Sequence, residues 1–148
     1  MSLIFKGRHR LALFCLLFLS LTSCRLNLLA PYDNELSLEI DRTAKEVDRF
    51  YLTMLEKSES KGTTRAYKEF RDEYINIEVE LNSLYNRNKI KPLNKYSTRN
   101  CEIALDTWRR FKEEHKKDNT IGDGLIQYNR KFMNDLFYTI RIAEEAKK

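Results

Sequence analysis

Hydrophobic residues recur at steps of three and four along most of this chain, which is the period of a helix that buries one face. Four segments carry the pattern and predict helices over residues 34–59, 64–88, 98–116 and 124–146. No segment after residue 33 alternates at period two over a useful length, so strands are not expected. Each helix has one face that carries this spacing, and its residues are expected to face inward, except for His115 at the end of the third helix. These residues are Leu36, Ile40, Ala44, Val47, Tyr51 and Met54 in the first helix, Tyr67, Phe70, Tyr74, Ile77, Leu81 and Leu84 in the second, Cys101, Ala104, Leu105, Trp108, Phe111 and His115 in the third, and Leu125, Phe132, Met133, Leu136, Ile140 and Ala143 in the fourth.

Residues that start or stop helices stand at the boundaries of these segments. Asp33 or Asn34 can cap the first helix, and Ser97 or Thr98 can cap the third. A run of turn-forming residues at 118–124 separates the last two helices. Short loops between helices of similar length make neighbouring helices run antiparallel. The sequence therefore predicts an all-α fold, an antiparallel four-helix bundle over residues 33–148.

The first 23 residues differ from the rest of the chain in composition. A basic stretch over residues 1–10 precedes the apolar run LALFCLLFLSL at 11–21, which has the length of the apolar region of a signal peptide. A membrane-spanning helix needs about 20 apolar residues. Polar residues from Ser20 onward interrupt the run before it reaches that length. Residues 1–23 are therefore predicted to be a cleaved signal peptide.

The apolar run ends in Leu21-Thr22-Ser23-Cys24, an aliphatic residue and two small residues before a cysteine. This motif resembles the lipobox of bacterial lipoproteins of the Gram-negative type, in which the cysteine receives diacylglycerol. The resemblance covers the first 24 residues and implies that Cys24, carrying diacylglycerol and a further acyl chain, anchors the mature protein in a membrane. The alternative interpretations are a plain signal peptide and a buried apolar helix with an incidental cysteine.

The resemblance also implies a location. In Gram-negative lipoproteins, an Asp after the lipidated cysteine commonly retains the protein in the inner membrane. Here that position is Arg25, so we expect the outer membrane, with the protein facing the periplasm. Residues 24–32 form the lipidated tether in this interpretation. Its last eight residues span at most about 28 Å, so the bundle is expected to lie close to its membrane.

The net charge of the whole chain is +5, which by itself would suit an acidic partner. Three of the 27 basic residues, Lys6, Arg8 and Arg10, belong to the predicted signal peptide, so 24 remain against 22 acidic residues. Charges of both signs are interspersed along the mature chain, and no strong field is left to attract a polyanion. We therefore expect no binding of nucleic acid.

Few residues of the mature chain are suited to catalysis. His115 is its single histidine and lies near a predicted helix end, between two acidic and two basic residues, where we expect it to be solvated or to interact with the helix end. Cys101 is expected to be a small buried apolar residue. One His and one free Cys cannot complete a four-ligand zinc site. We therefore expect no metal, no cofactor other than the lipid on Cys24, no catalytic residue and no enzymatic activity.

The basic pairs Arg109-Arg110 and Lys116-Lys117 are expected to lie on a solvated face, with contact to anionic lipid or peptidoglycan as the alternative. A firm anchor, a short tether and helix faces suited to docking favour a membrane-anchored periplasmic lipoprotein that binds another envelope protein, as an adaptor, an assembly factor or an exclusion factor. This hypothesis predicts an exposed apolar or Tyr-rich surface on the bundle.

The alternative function is a binding module for a small apolar ligand or lipid held between the helices. It requires a cavity lined by residues such as Met54, Phe70 and Phe132. The sequence leaves open which protein is the partner and whether the chain forms a homo-oligomer.

Overall fold

The computed structural model describes residues 29–57 and 64–148. Most of them lie in four helices, α1 (Asn34–Glu56), α2 (Arg71–Lys89), α3 (Lys95–Asp118) and α4 (Asp123–Glu145), and a short 3₁₀ turn, Tyr67–Glu69, precedes α2. Those two ranges contain no strand, so the predicted all-α fold is confirmed. Within the same ranges, no helix is both long and apolar enough to cross a membrane. The predicted signal peptide and the tether up to residue 28 lie outside the described residues.

Contacts between helix ends show that the helices run alternately up and down. At one end, the backbone N–H of Asp33, before α1, donates to the carboxylate of Glu144 at the end of α4 (2.9 Å). Lys91, just after α2, donates to the Asp33 carboxylate (2.6 Å). At the opposite end, Tyr74 near the start of α2 contacts His115 near the end of α3 (3.2 Å). Each helix packs against its two neighbours in a closed ring, so the antiparallel four-helix bundle is confirmed.

An aromatic cluster centred on Phe50 joins α1, α2 and α3. The centroid of its ring lies 4.7 Å from that of Tyr74, 5.1 Å from that of Tyr51 and 5.2 Å from that of Trp108, all in edge-to-face arrangements. Such pairs contribute roughly 0.5–1.5 kcal/mol each beyond the burial of their surface. Trp108 is fully buried, and its Nε1–H donates to the backbone oxygen of Tyr74 (3.0 Å). The indole therefore fixes the position of α3 against α2 by packing and by a hydrogen bond.

Most residues that were expected to face inward are buried, but Leu125 is not. It is exposed, because the inner face of α4 runs through Ile126, Asn129 and Met133, and Leu125 lies about 100° away from Ile126 around the helix. Because Asn129 on this face is polar, the spacing of apolar residues alone does not identify the inner face of α4. Five other expected core residues are only partly buried, and these are Ala44, Tyr67, Phe132, Leu136 and Ala143.

Two predicted helix starts are wrong. The second helix begins at Arg71 rather than at residue 64, because Arg65 uses its side chain to contact the end of α1 and the chain around it is not helical. The third helix begins at Lys95, so the expected caps Ser97 and Thr98 lie inside it. The hydroxyl of Thr98 instead donates to the backbone oxygen of Asn94 (2.9 Å).

The predicted cap of the first helix is correct. The Asp33 carboxylate accepts a hydrogen bond from the backbone N–H of Leu36 (3.0 Å), which satisfies one of the free donors at the start of α1.

Candidate functional site

His115 lies in the core of the bundle, and the expectation that it is solvated or caps a helix end is wrong. Its side chain is 2% exposed. Its Nε2 lies 2.7 Å from the backbone oxygen of Arg65, and since a carbonyl can only accept, Nε2 carries the proton. Nδ1 then accepts a hydrogen bond from the hydroxyl of Tyr74 (3.2 Å). Burial lowers the pKa of His115 and the hydrogen bond to Arg65 opposes this, so the ring is neutral at physiological pH and both nitrogens are engaged.

Arg65 caps the end of α1 with its side chain. The guanidinium group donates to the backbone oxygens of Met54 (3.0 Å) and Leu55 (3.1 Å) and is paired with Asp123 at the start of α4. Carbonyls in the last turn of a helix have no partner within the helix, so the guanidinium group supplies donors that α1 itself lacks. Asp123 lies in the turn-forming run at 118–124 and is also the first residue of α4. Its carboxylate is engaged in this structural contact with Arg65.

Cys101 is buried, as expected. Its Sγ accepts a hydrogen bond from the side-chain amide of Asn88 (3.3 Å), and burial raises the pKa of the thiol to about 12. A thiol with such a pKa is protonated at neutral pH and is a poor nucleophile. Within residues 29–57 and 64–148, no group of three or more His, Cys, Asp or Glu side chains is placed to hold a metal ion.

The start of the described chain is held by polar contacts at one end of the bundle. The backbone N–H of Ala30 donates to the backbone oxygen of Leu93 in the α2–α3 loop (3.3 Å). The Asp33 carboxylate accepts from Lys91, and this hydrogen bond, followed by that from Leu36, lowers the pKa of Asp33 to about 2. We call this end, formed by the start of α1, the α2–α3 loop and the end of α4, the tether end.

A partly apolar surface lies where α3 meets α4, in the half of the bundle far from the tether end. Tyr128 is 58% exposed, and its ring centroid lies 6.0 Å from that of the half-buried Phe132. The Phe132 ring packs edge-to-face against the buried Phe111 (6.1 Å). The guanidinium group of Arg110 lies 5.3 Å from the Phe111 ring and pairs with no carboxylate in the part of the chain that is described. We define the α3–α4 surface as Arg110, Leu125, Tyr128, Phe132 and Leu136.

The two basic pairs lie mostly on solvated surface, as expected. Arg109 donates to Glu78 on α2 (2.8 Å), and the Lys116 ammonium lies 3.6 Å from the carboxylate of Glu113. All four basic side chains are exposed. Arg110 differs from the others because it borders the α3–α4 surface.

A surface groove with a volume of about 340 Å³ lies between α1 and α2. Of the three residues that were expected to line a ligand cavity, only Phe70 lines this groove, whereas Met54 is fully buried and Phe132 lies on the α3–α4 surface. The floor of the groove is apolar, and its rim carries charges. The side chains involved are Phe50, Phe70 and Ile77 on the floor, and Glu46, Arg49 and Glu73 on the rim.

Compared with protein-family models, with curated proteins and with solved structures, the chain matches none of them. The residues of the predicted lipobox, Leu21, Thr22, Ser23 and Cys24, lie outside the described part of the structure.

Proposed function

We propose that the protein is a lipid-anchored, non-enzymatic lipoprotein of the bacterial envelope that binds another envelope protein through its α3–α4 surface. It acts there as an adaptor, an assembly factor or an exclusion factor. The anchor is diacylglycerol and an acyl chain on Cys24, as the motif Leu21-Thr22-Ser23-Cys24 implies, and Arg25 favours the outer membrane.

The α3–α4 surface is the observation that carries this proposal. Tyr and Arg are the residue types that contribute most to protein interfaces, and both are present beside exposed Leu125. The Tyr128 ring packs on Phe132, which in turn packs on the buried Phe111. Because this support holds the aromatic side chains in place before any partner binds, little conformational entropy is lost on association.

The position of the surface suits an anchored adaptor. Tyr128 lies 17 residues before the last residue of α4, Glu145, which is about 25 Å along the helix axis from the tether end. The tether leaves from the opposite end of the bundle and is short. A bundle anchored there can present the α3–α4 surface to a partner away from the bilayer.

The contacts of the potentially reactive side chains support a non-enzymatic role. His115 has both ring nitrogens engaged, and the Cys101 thiol is protonated inside the core. Asp123, Asp48 and Glu78 are each paired with an Arg or Lys side chain of another helix or loop. These residues stabilise the bundle through the same atoms that a catalytic role would require.

Site-specific photocrosslinking in intact cells tests the binding surface. A photoreactive residue replaces Tyr128 in the full chain, and the control replaces Tyr138, which is also exposed on α4 but lies outside the α3–α4 surface. We expect one dominant crosslinked envelope protein from position 128, none from position 138, and loss of the crosslink when Leu125→Asp is added. Equal crosslinking at both positions, or none at 128, contradicts the proposed surface.

Intact-mass measurement of the protein purified from membranes tests the anchor. We expect a chain that begins at Cys24 and carries the mass of diacylglycerol and one acyl chain, in the outer-membrane fraction of a density gradient. A chain that begins elsewhere, or one without the added mass, contradicts lipidation, whereas a lipidated chain in the inner-membrane fraction contradicts only the location.

The groove between α1 and α2 favours a second function, binding of a small apolar ligand. Its floor of Phe50, Phe70 and Ile77 would take an apolar molecule, although its volume is at the small end for ligand sites. Native mass spectrometry of the purified chain, with Thr53→Trp at the groove as a blocking variant, tests this function. A bound small molecule that Thr53→Trp removes would support it, and a ligand-free spectrum of the unaltered chain would exclude it.

A further inference from the structure

Large apolar side chains project from the α2–α3 loop and from the first turn of α3, at the tether end. Ile90 is 82% exposed, Leu93 60% and Tyr96 80%, and Pro92 between them is also exposed. Isolated apolar residues are common on protein surfaces, but exposed apolar residues grouped this closely mark a surface that contacts something else. We call this group, Ile90, Pro92, Leu93 and Tyr96, the α2–α3 corner.

The chain segment that contains the α2–α3 corner has the most one-sided charge in the mature chain. Residues 86–101 contain five basic residues and no acidic residue, although the chain after residue 23 holds 24 basic residues against 22 acidic ones. The five are Arg87, Lys89, Lys91, Lys95 and Arg99. This composition would attract negatively charged groups to the same place where the apolar side chains project.

Three of these basic side chains are held by carboxylates, and two are available. Arg87 and Lys91 pair with Asp33, and Arg99 pairs with Glu102. Lys89 and Lys95 are exposed and belong to no ion pair among the described residues, although the Lys89 ammonium lies 5.2 Å above the ring of Tyr85. A surface depression of about 470 Å³ beside Leu93 is lined by Lys89, Lys91, Lys95 and Arg99, with Glu102 at its edge.

The backbone of the loop turns Leu93 outward. Leu93 has a φ of 58°, in the left-handed region that residues other than glycine rarely adopt. The only other described non-glycine residue with positive φ is Asn119, a residue type that tolerates this region. Leu93 gains no burial from the conformation, since its side chain is exposed. The folded chain therefore holds Leu93 in an unfavourable backbone conformation with its apolar side chain in solvent, an arrangement that a contact outside the folded chain could use.

The chain that leads to the anchor leaves the bundle at this corner. Ala30 is hydrogen-bonded to Leu93, and Leu29 before it is exposed. Cys24 precedes Leu29 by five residues, which span at most about 18 Å. A lipid on Cys24 would therefore hold the α2–α3 corner at the surface of the bilayer.

We propose that the α2–α3 corner is a membrane-contact surface, in which Ile90, Leu93 and Tyr96 enter the headgroup region of an anionic bilayer while Lys89 and Lys95 bind lipid phosphate groups. Tyr is favoured at this depth because its ring is apolar and its hydroxyl group stays hydrated. The proposal depends on the lipid anchor of the proposed function. Its consequence is a fixed orientation, with the α3–α4 surface directed away from the membrane.

Fluorescence quenching by brominated lipids tests the contact. The full lipidated chain is reconstituted into vesicles of phosphatidylethanolamine and phosphatidylglycerol with acyl chains brominated near the headgroup. Tyr96→Trp is compared with Leu52→Trp, an exposed control on α1 far from the tether end, and with the unaltered chain, whose Trp108 is buried. We expect the brominated lipids to quench most of the fluorescence that the Tyr96→Trp substitution adds. The fluorescence of Leu52→Trp and of the unaltered chain should stay unchanged. Emission retained equally by Tyr96→Trp and Leu52→Trp would overturn the proposal.

A charge-reversal pair tests the role of the lysines. In the Tyr96→Trp chain, Lys89→Glu with Lys95→Glu should reduce the quenching at least twofold, and so should replacement of phosphatidylglycerol by phosphatidylcholine. The matched control, Lys116→Glu with Lys117→Glu, makes the same change of charge at the opposite end of the bundle and should leave quenching unchanged. Equal effects of the two pairs would overturn recognition of lipid phosphate at the corner.

Vesicle flotation separates this proposal from the anchor on which it depends. Quenching is measured only on chains that float with the vesicles. An unaltered chain that fails to float contradicts the anchor and thus the proposed function. A chain that floats but shows no quenching of Tyr96→Trp contradicts the membrane-contact surface alone.

Discussion

The free energy of unfolding should fall as the pH is lowered from about 7 to about 5, because the core contains a neutral histidine. Burial lowers the pKa of His115 in the folded chain, whereas an unfolded chain has the ordinary value of about 6.5. Protonation would turn Nδ1 from an acceptor into a donor that faces the hydroxyl of Tyr74, 3.2 Å away. The stabilisation by neutral His115 is therefore present above pH of about 6.5 and is lost as the pH falls toward the lower, folded-state pKa.

The size of the effect follows from the uptake of one proton. Between the pKa of the unfolded chain and the lower pKa of the folded chain, the unfolded chain holds up to one proton more, so the free energy of unfolding falls by at most about 1.4 kcal/mol per pH unit. Asp33, Asp48 and Glu78 add little to this slope above pH of about 5, because carboxyl groups in an unfolded chain titrate near pH 4 and the pKa of each of the three is lower still in the folded chain. Between pH of about 6.5 and 5 we therefore expect a measurable loss of no more than about 2 kcal/mol.

Urea unfolding of the full chain at a series of pH values measures this slope, and His115→Gln is the matched variant. Gln keeps an amide donor and an acceptor but does not titrate, so its free energy of unfolding should stay flat over the same range. A flat profile for the unaltered chain, or an equal slope for His115→Gln, would refute the placement of a neutral histidine in the core.

Three further predictions concern other buried groups. Tyr51→Phe removes a buried hydroxyl that has no hydrogen-bond partner within the described residues, so we expect an unchanged or higher temperature of thermal unfolding. Tyr74→Phe removes the hydroxyl that donates to His115 and should lower the free energy of unfolding by about 1 kcal/mol. A larger loss for Tyr51→Phe than for Tyr74→Phe would contradict these hydrogen bonds. Arg65→Lys keeps the charge but loses the planar group that reaches four backbone carbonyls, and urea unfolding should show a loss of about 2 kcal/mol. No loss would contradict the capping role. Cys101 should resist iodoacetamide in the folded protein and react once per chain after denaturation, if Cys24 carries the proposed lipid. Mass spectrometry counts the labels, and a label on Cys101 of the folded chain would contradict burial.

The helices were predictable from sequence because each must bury one face, and burial imposes a spacing of three and four on the apolar residues. The burial of Phe50 was not predicted. It arises because α1 packs against two neighbouring helices, which together bury a stripe wide enough to include both Phe50 and Tyr51. The late start of α2 was missed because it depends on Arg65, whose contacts lie at the end of α1 and the start of α4. Spacing within a segment carries no information about such contacts.

The sequence did not show, for individual residues, whether they lie on the surface or in the core. His115 stands between Glu114 and Lys116, which suggested solvent, but adjacent residues on a helix point about 100° apart, so charged neighbours in sequence do not determine where His115 lies. Tyr96 and Tyr128 are exposed and Tyr74 is buried, although all three are the same residue type at helical positions. The α3–α4 surface and the α2–α3 corner therefore became visible only in the folded chain.

The ring of helices is closed by its first and last members. Asp33 is hydrogen-bonded to Glu144, 111 residues later, and Asp48 pairs with Arg130, 82 residues later. Contacts of such long sequence separation form late, because the loop that joins them must first be closed. A chain that emerges from its N-terminus, at the ribosome or across a membrane, leaves the part of α1 that packs on α4 exposed until α4 has followed. We therefore expect chains shortened before α4 to be bound by chaperones or degraded, and not to accumulate as a three-helix domain.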